Sequence, residues 1–340
     1  MTYLIPKTDL NQVAEDLIEV ISKLNHSKIL LSGCTGFIGK NLLEAIFWLS
    51  DVYKLDIEIL GISRNPEEFY KNNPHFKAFN NLKIKKIDIK EIGTLNLGKI
   101  DFVIHAATDV NKINSPIQIF EDSYWGTKQI LDLSEKNGTK AFLLLSSGAV
   151  YGNASHNNGF LEDQVGGISP QNLSSAYALG KQASEWLCGS YKNKFDVKVA
   201  RCFALTGPYL PLDKHFAIGN FINSVLNNKD IEIQGNGKPT RSYLYSSDMV
   251  TILLKLLLAD GVQGVWNIGG DEEISIYNLA KQVNLVLGGK SQIVVLDKQD
   301  MISNRYFPNL EKVKKEFSWM PKVNLEKAIQ NTARWSQKQG

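Results

Sequence analysis

Three side chains in the middle of this chain have the types and spacing to move a proton onto an oxygen. Tyr177 and Lys181 lie four residues apart in SSAYALGKQASEW (174–186), a stretch with helical patterning, so they share one helix face. An ammonium beside a phenol favours the phenolate, which brings a tyrosine of ordinary pKa about 10 towards a useful range. Ser147 ends the apolar run of LLLSSGAVYG (143–152) and could hold a substrate oxygen against that tyrosine. A Tyr-x-x-x-Lys pair alone is common by chance, and its bland alternative is a surface tyrosine near a solvated lysine.

A second stretch, SGCTGFIGKNLL (32–43), places Gly33, Gly36 and Gly39 between the apolar run KILL and the helical EAIFWL. Glycines at that spacing let the chain turn tightly, bring the backbone against a ligand and aim the N–H groups of a helix start at it. These features suit a pyrophosphate, so Gly33, Gly36, Phe37, Ile38 and Gly39 form the expected dinucleotide cradle. The next strand selects the dinucleotide, because a carboxylate at its end would bind the adenine ribose of NAD and repel a 2′-phosphate. GISRNP offers Ser63 in that place, and Arg64 could pair bidentately with a phosphate. The expectation is NADP(H), with NAD(H) as the alternative cofactor and a plain surface arginine as the structural alternative for Arg64.

The elements that must position these residues follow from periodicity. The runs KILL, IEILGI, LKIKKI, FVIHAA, FLLLSS and VKVARC alternate with helical patterns, which implies a mostly parallel sheet with right-handed crossovers. Leu10, Val13, Leu17, Ile21 and Leu24 recur at helical spacing, so residues 8–25 read as one amphipathic leading helix, capped by Thr8 or Asp9. Beyond Gly207-Pro208 the pattern loosens into shorter strands and helices. The expected organisation is a leading segment over 1–26, a dinucleotide-binding domain over 27–205 and a smaller α/β substrate lobe over 206–340, with the chain crossing back.

Composition excludes several classes. Thirty-eight basic residues against 35 acidic ones leave a formal charge of +3 with no basic run among aromatics, so nucleic acid is not an expected partner. Cys34, Cys188 and Cys202 have neither disulfide nor zinc-ligand spacing; no metal is expected, and a reducing compartment fits. The greasiest segment, TILLKLLLADGV, carries Lys255 and is too short to span a bilayer, and the chain shows no secretory leader pattern. The expectation is a soluble cytoplasmic protein.

Taken together, these stretches resemble the extended short-chain dehydrogenase/reductases that act on nucleotide sugars, the NAD(P)-dependent epimerase/dehydratase group. The likeness runs from Lys28 nearly to the C-terminus: the three glycines, IHAAT, SSGAVYG, YALGK, Gly207-Pro208, GNGKPTRSYLYSSDM, WNIGG and FSWMPKVNLEKAI. The leading helix has no counterpart. The resemblance implies a Rossmann-type doubly wound fold and a nucleotide-diphosphate sugar as partner. It also implies a homodimer formed through two helices of each subunit. By the same resemblance Ser147 orients the sugar hydroxyl or ketone, Tyr177 moves its proton and Lys181 binds the nicotinamide ribose. Asp88 and Ile89 would border the adenine, Ala106 and Ala107 would line the cofactor, and Arg241 would pair with the diphosphate, its alternative being a salt bridge to Asp248.

Departures from the family pattern narrow the reaction. Sugar 4,6-dehydratases of the group carry an acid and a base directly after the catalytic Ser or Thr; here those places are Gly148 and Ala149, which cannot transfer a proton. Hydride chemistry at sugar C4 remains: an NADP(H)-dependent 4-ketoreductase for glycan precursors, or a C4 epimerase with retained NAD. A non-catalytic dinucleotide-binding scaffold is the rival of another class. Ala204 and Ser123 stand where the family has asparagines. LPLDKHFAIGNFI lies where it contacts the sugar and diphosphate, so His215 and Asn220 are candidate substrate ligands or proton carriers, with capping or packing as the alternative for His215.

Overall fold

The computed structural model describes residues 2–107, 115–152, 158–164, 166–214, 216–297 and 304–339. Its centre is a seven-stranded sheet. The strands are β1 (Ser27–Ser32), β2 (Ile57–Ser63), β3 (Leu82–Lys86), β4 (Phe102–His105), β5 (Ala141–Ser147), β6 (Asp196–Cys202) and the strand Gly264–Ile268. Their order across the sheet is Gly264–Ile268, β6, β5, β4, β1, β2, β3. β1 pairs in parallel with both β2 and β4, β2 with β3, and β4 with β5. Strands covered on both faces read as continuous apolar runs, and Ile29, Leu30, Leu31, Phe142 and Leu143 are accordingly sealed from solvent. The chain winds outward to one side from β1 and to the other from β4. The strand ends of β1 and β4 therefore flank the point where winding reverses, the place where doubly wound sheets bind ligands.

Ten α-helices are described: α1 (Lys7–Asp16), α2 (Phe37–Tyr53), α3 (Pro66–Asn72), α4 (Pro116–Lys136), α5 (Ala176–Gly189), α6 (Ala217–Leu226), α7 (Ser246–Leu258), α8 (Ile276–Val286), α9 (Glu311–Phe317) and α10 (Leu325–Gln337). The single leading helix expected over 8–25 is not what forms. α1 ends at Asp16 with no side-chain cap at its start, and Ile21–Leu24 is a separate 3₁₀ turn. The β-branched residues Ile18, Val20 and Ile21 lose side-chain freedom in a helix and weaken its continuation. The apolar stripe survives the break, since Leu10, Val13, Leu17, Ile21 and Leu24 are all buried while Ile18 faces solvent. Buried Glu44 of α2 accepts the amides of Leu4 and Ile5, both at 2.9 Å, which ties the start of the chain to α2.

The chain divides into two compact units, neither contiguous in sequence. The first comprises Met1–Val150, Ile168–Arg201 and Val250–Trp266; the second comprises Tyr151–Gly167, Cys202–Met249 and Asn267–Gly340. Residues 250–266 group with the first unit because they lead into the strand beside β6. In the second unit Ala204–Thr206 runs parallel to Tyr243–Tyr245, and Thr240–Arg241 lies between Ile274–Ser275 and Arg305–Tyr306. Asn267 organises part of it: it accepts from the Tyr151 hydroxyl at 2.8 Å and donates its side-chain amide to the Phe160 carbonyl at 2.6 Å.

Candidate active site

The glycine turn has a different cause at each position. Gly33 follows β1 with φ +72°, a left-handed conformation, and a Cβ there would stand 2.7 Å from the Ala106 carbonyl carbon. A Cβ on Gly39 would stand 2.3 Å from the Gly33 oxygen, so this glycine lets α2 pack onto the turn. Gly36 differs: it is exposed, and a Cβ would meet nothing closer than 3.4 Å. Gly36 precedes α2 at a helix start that no side chain caps, so the backbone there is open to a ligand. Phe37 and Ile38 open that first turn. This cradle fits a dinucleotide phosphate. Cys34, inside the turn, is inert: burial pushes its thiol up to about 12, and its Sγ donates to the Ile62 carbonyl at 3.6 Å.

On the adenine side, β2 ends in Ser63, whose Oγ accepts the Asn65 amide at 3.1 Å; Arg64 is exposed. Asp88 caps a 3₁₀ turn by accepting the Lys90 amide at 2.9 Å, and Ile89 lies against Gly126. Ala106 and Ala107 leave the end of β4 beside the glycine turn, the Ala106 amide donating to the Ser32 carbonyl at 3.2 Å.

The chemistry-bearing side chains sit where β5 meets α5. Ser147 ends β5, is 9% exposed, and its Oγ accepts the Ala149 amide at 3.1 Å as the chain turns through Gly148 and Ala149. Lys181 of α5 is buried, donates to the Leu145 carbonyl at 2.8 Å, and holds its Nζ 6.0 Å from the centre of the half-buried Tyr177 ring. Gln182 donates to the Val150 carbonyl at 2.9 Å, and Glu185 accepts from Ser146. Arg201 of β6 closes the arrangement with a 2.7 Å ion pair to Glu185, both side chains about nine-tenths buried. Consecutive turns of α5 thus grip residues 145 to 150, which sets Tyr177 and Lys181 relative to Ser147.

In the second unit, Arg241 donates to the Thr240 and Asn304 carbonyls at 2.8 and 3.2 Å and lies 5.1 Å over the Tyr306 ring. Burial lowers its pKa, while Tyr243 and Tyr306 act in the opposite sense. The alternative partner, Asp248, is engaged elsewhere, accepting the Lys322 and Val323 amides. Ala204 pairs with Tyr243, two residues beyond Arg241, and Asn220 is an exposed residue of α6. His215 lies outside the described residues. Among the described residues, no group of three or more His, Cys, Asp or Glu side chains could hold a metal ion, and no helix is long and apolar enough to cross a membrane.

The family model of the NAD dependent epimerase/dehydratase family matches residues 29–269. The chain belongs to that family. A curated relative, UDP-glucuronic acid decarboxylase 1 of Xenopus tropicalis, is 26% identical over 326 residues, 95% of this chain and 75% of the relative. Among solved structures, UDP-glucose 4-epimerase of Thermotoga maritima, crystallised with UDP-glucose, superposes with a TM-score of 0.77 at 21% identity, covering 92% of this chain and 99% of that one. A dTDP-glucose 4,6-dehydratase of Bacillus anthracis in complex with NAD gives 0.77 at 24% identity, covering 92% and 97%. At those identities the structures establish a shared fold, the Rossmann-type sheet. For an epimerase/dehydratase family member, the residues that sequence reasoning missed are Ser146, Glu185 and Arg201. The available signal was Glu185, four residues beyond Lys181 on the same helix face.

Proposed function

We propose that the protein transfers hydride at C4 of a nucleotide-linked sugar, in net reduction of a 4-keto sugar with NADP(H). The observation that carries this reading is the hold of α5 on β5, which keeps Tyr177 and Lys181 on one helix face and Ser147 at the strand end, with Gly148 and Ala149 next in the chain. When bound, the nicotinamide supplies the hydride. Tyr177 donates its proton to the carbonyl oxygen, Ser147 donates a hydrogen bond to the same oxygen, and Lys181 tunes the phenol and binds ribose. Gly148 and Ala149 carry no group able to take a proton from carbon, so elimination of water lacks its acid and base there.

Ser63 and the exposed Arg64 favour NADP(H), because no carboxylate ends β2 and a guanidinium matches a phosphate. Arg241 is assigned to the sugar-nucleotide diphosphate, with Ala204, Asn220 and His215 assigned to the remainder of that ligand. The UDP and dTDP sugars in the relatives' names support a nucleotide sugar of this kind. Ile117, Phe120 and Trp125 of α4 and Trp186 of α5 are exposed, which supports a homodimer paired through these two helices. C4 epimerisation with retained NAD is the second reading, supported by the fold shared with UDP-glucose 4-epimerase.

Release and identification of the nucleotide that co-purifies, followed by NADH and NADPH titration of wild type and Arg64→Ala, separates the two. Exchangeable NADPH, bound about tenfold more weakly by Arg64→Ala, supports the reductase. Tightly retained NAD that ignores the substitution supports the epimerase. Binding without turnover of any 4-keto nucleotide sugar or UDP-hexose would leave only a dinucleotide-binding scaffold.

A further inference from the structure

Between β1, β4, α4 and α5 runs a line of hydrogen-bonded side chains, all in the first unit, that the proposed chemistry does not use. His105 is the last residue of β4 and is 2% exposed. Its Nδ1 lies 2.7 Å from Ser32 Oγ at the end of β1, and its Nε2 lies 3.1 Å from Thr127 Oγ1 on α4. Ser32 Oγ also accepts the amide of Ala107 at 3.3 Å, next to the Ala106 carbonyl that abuts Gly33. At the far end Thr127 Oγ1 lies 2.9 Å from Ser184 Oγ and 2.7 Å from the Ser123 carbonyl. Ser184 in turn reaches the carbonyls of Gly180, at 2.9 Å, and Ser123, at 3.0 Å.

Counting protons gives the line a direction. Carbonyl oxygens only accept, so the single hydroxyl proton of Ser184 goes to Gly180 or Ser123. The proton of Thr127 goes to the Ser123 carbonyl or to Ser184 Oγ, which leaves Thr127 an acceptor towards the ring. His105 therefore carries its proton on Nε2 and accepts the Ser32 hydroxyl at Nδ1, an assignment made from the network. A neutral imidazole satisfies every polar atom along the line. Burial and, secondarily, the charge of Lys181 push the imidazole down to about 3, so it stays neutral under physiological conditions.

We infer that His105 is a positioning residue that couples the dinucleotide cradle to the helix bearing Tyr177 and Lys181. Through Ser32 it fixes Ala107 beside the glycine turn; through Thr127 it fixes α5 at Ser184. The roles of the two ends rest on the hydride-transfer reading, whereas the coupling between them does not.

The test is cross-talk between the ends, which a merely structural role would not produce. Thr127→Val breaks the line on the α4 side; it should raise the Kd of NADPH or NADH, whichever wild type binds more tightly, about fivefold. Ser32→Ala breaks it on the cradle side and should speed amide hydrogen exchange over 177–184 about fivefold, because coupling is reciprocal. Thr127→Ser keeps the hydroxyl and should return both values to wild type. His105→Phe should give both effects; if it fails to fold, the two single-ended variants decide. Effects confined to the substituted end, in either direction, overturn the coupling. A wild type that binds neither dinucleotide would sink the proposed function, yet the exchange measurement needs no bound dinucleotide and would still judge the brace.

Discussion

Tyr177, Ser147 and Lys181 differ in what their loss should do. A phenol that delivers a proton is needed only as the carbonyl is reduced, so Tyr177→Phe should lower kcat about 10²–10⁴-fold while NADPH affinity stays within about twofold. Single-turnover oxidation of NADPH by a 4-keto nucleotide sugar measures this; an unchanged rate would remove Tyr177 from the chemistry. Cys34 makes the opposite point, that a functional-looking motif can contain a group with no reaction of its own. Its thiol sits at the heart of the glycine turn, fully buried and pushed up to about 12. Iodoacetamide should therefore label Cys34 only after unfolding, as peptide mass spectrometry would report.

The glycine turn and α5 are where elements decide function. A Cβ on Gly39 has no room, whereas one on Gly36 meets nothing of this chain closer than 3.4 Å. Gly39→Ala should thus give a protein of much lower Tm, while Gly36→Ala keeps a Tm near wild type and loses dinucleotide affinity. Equal thermal losses in both would refute separate roles. The grip of α5 on β5 depends on Glu185. Removing that carboxylate in Glu185→Gln leaves the Arg201 guanidinium buried without its counter-ion, which should cost about 3–5 kcal/mol in denaturant unfolding. The spacing of Tyr177 and Lys181 was legible because one helix fixes it. The partner of Glu185 was not, because Arg201 arrives from a different strand.

For the whole molecule, stability against acid follows from two buried groups. His105 has a folded pKa below its ordinary 6.5, so as pH falls the unfolded chain binds the proton first and stability drops from about 6.5 towards 3. Asp101 works in the same sense. Burial alone would raise its pKa, but the Lys28 amide with Lys140 and Lys99 outweighs burial and holds it below its ordinary value. Its stabilisation is present above 3.8 and lost as pH falls through the lower folded value. The free energy of unfolding should therefore decline steadily from pH 6.5 to 3, with a shallower slope in His105→Asn. A flat profile in wild type would contradict the burial of His105 and the pairing of Asp101 with the Lys28 amide, Lys140 and Lys99. If α4 and α5 pair two subunits, Trp186→Glu should convert a dimer to monomer in analytical ultracentrifugation.

The sequence by itself determined what short-range geometry can encode. Glycines every three residues, apolar runs of strand length, and a tyrosine and lysine one helical turn apart have consequences that hold wherever the segment lies, so the doubly wound fold and the glycine turn between β1 and α2 could be read in advance. The apolar stripe of residues 10 to 24 is buried even though the helix expected there breaks after Asp16. Tertiary structure alone decided which buried polar groups meet. Glu185 with Arg201, Asn267 with Tyr151, and His105 between Ser32 and Thr127 join residues 16, 116, 73 and 22 positions apart. Such pairings depend on strand order and helix placement, and the penalty for burying a polar group without a partner enforces them only once the sheet has assembled.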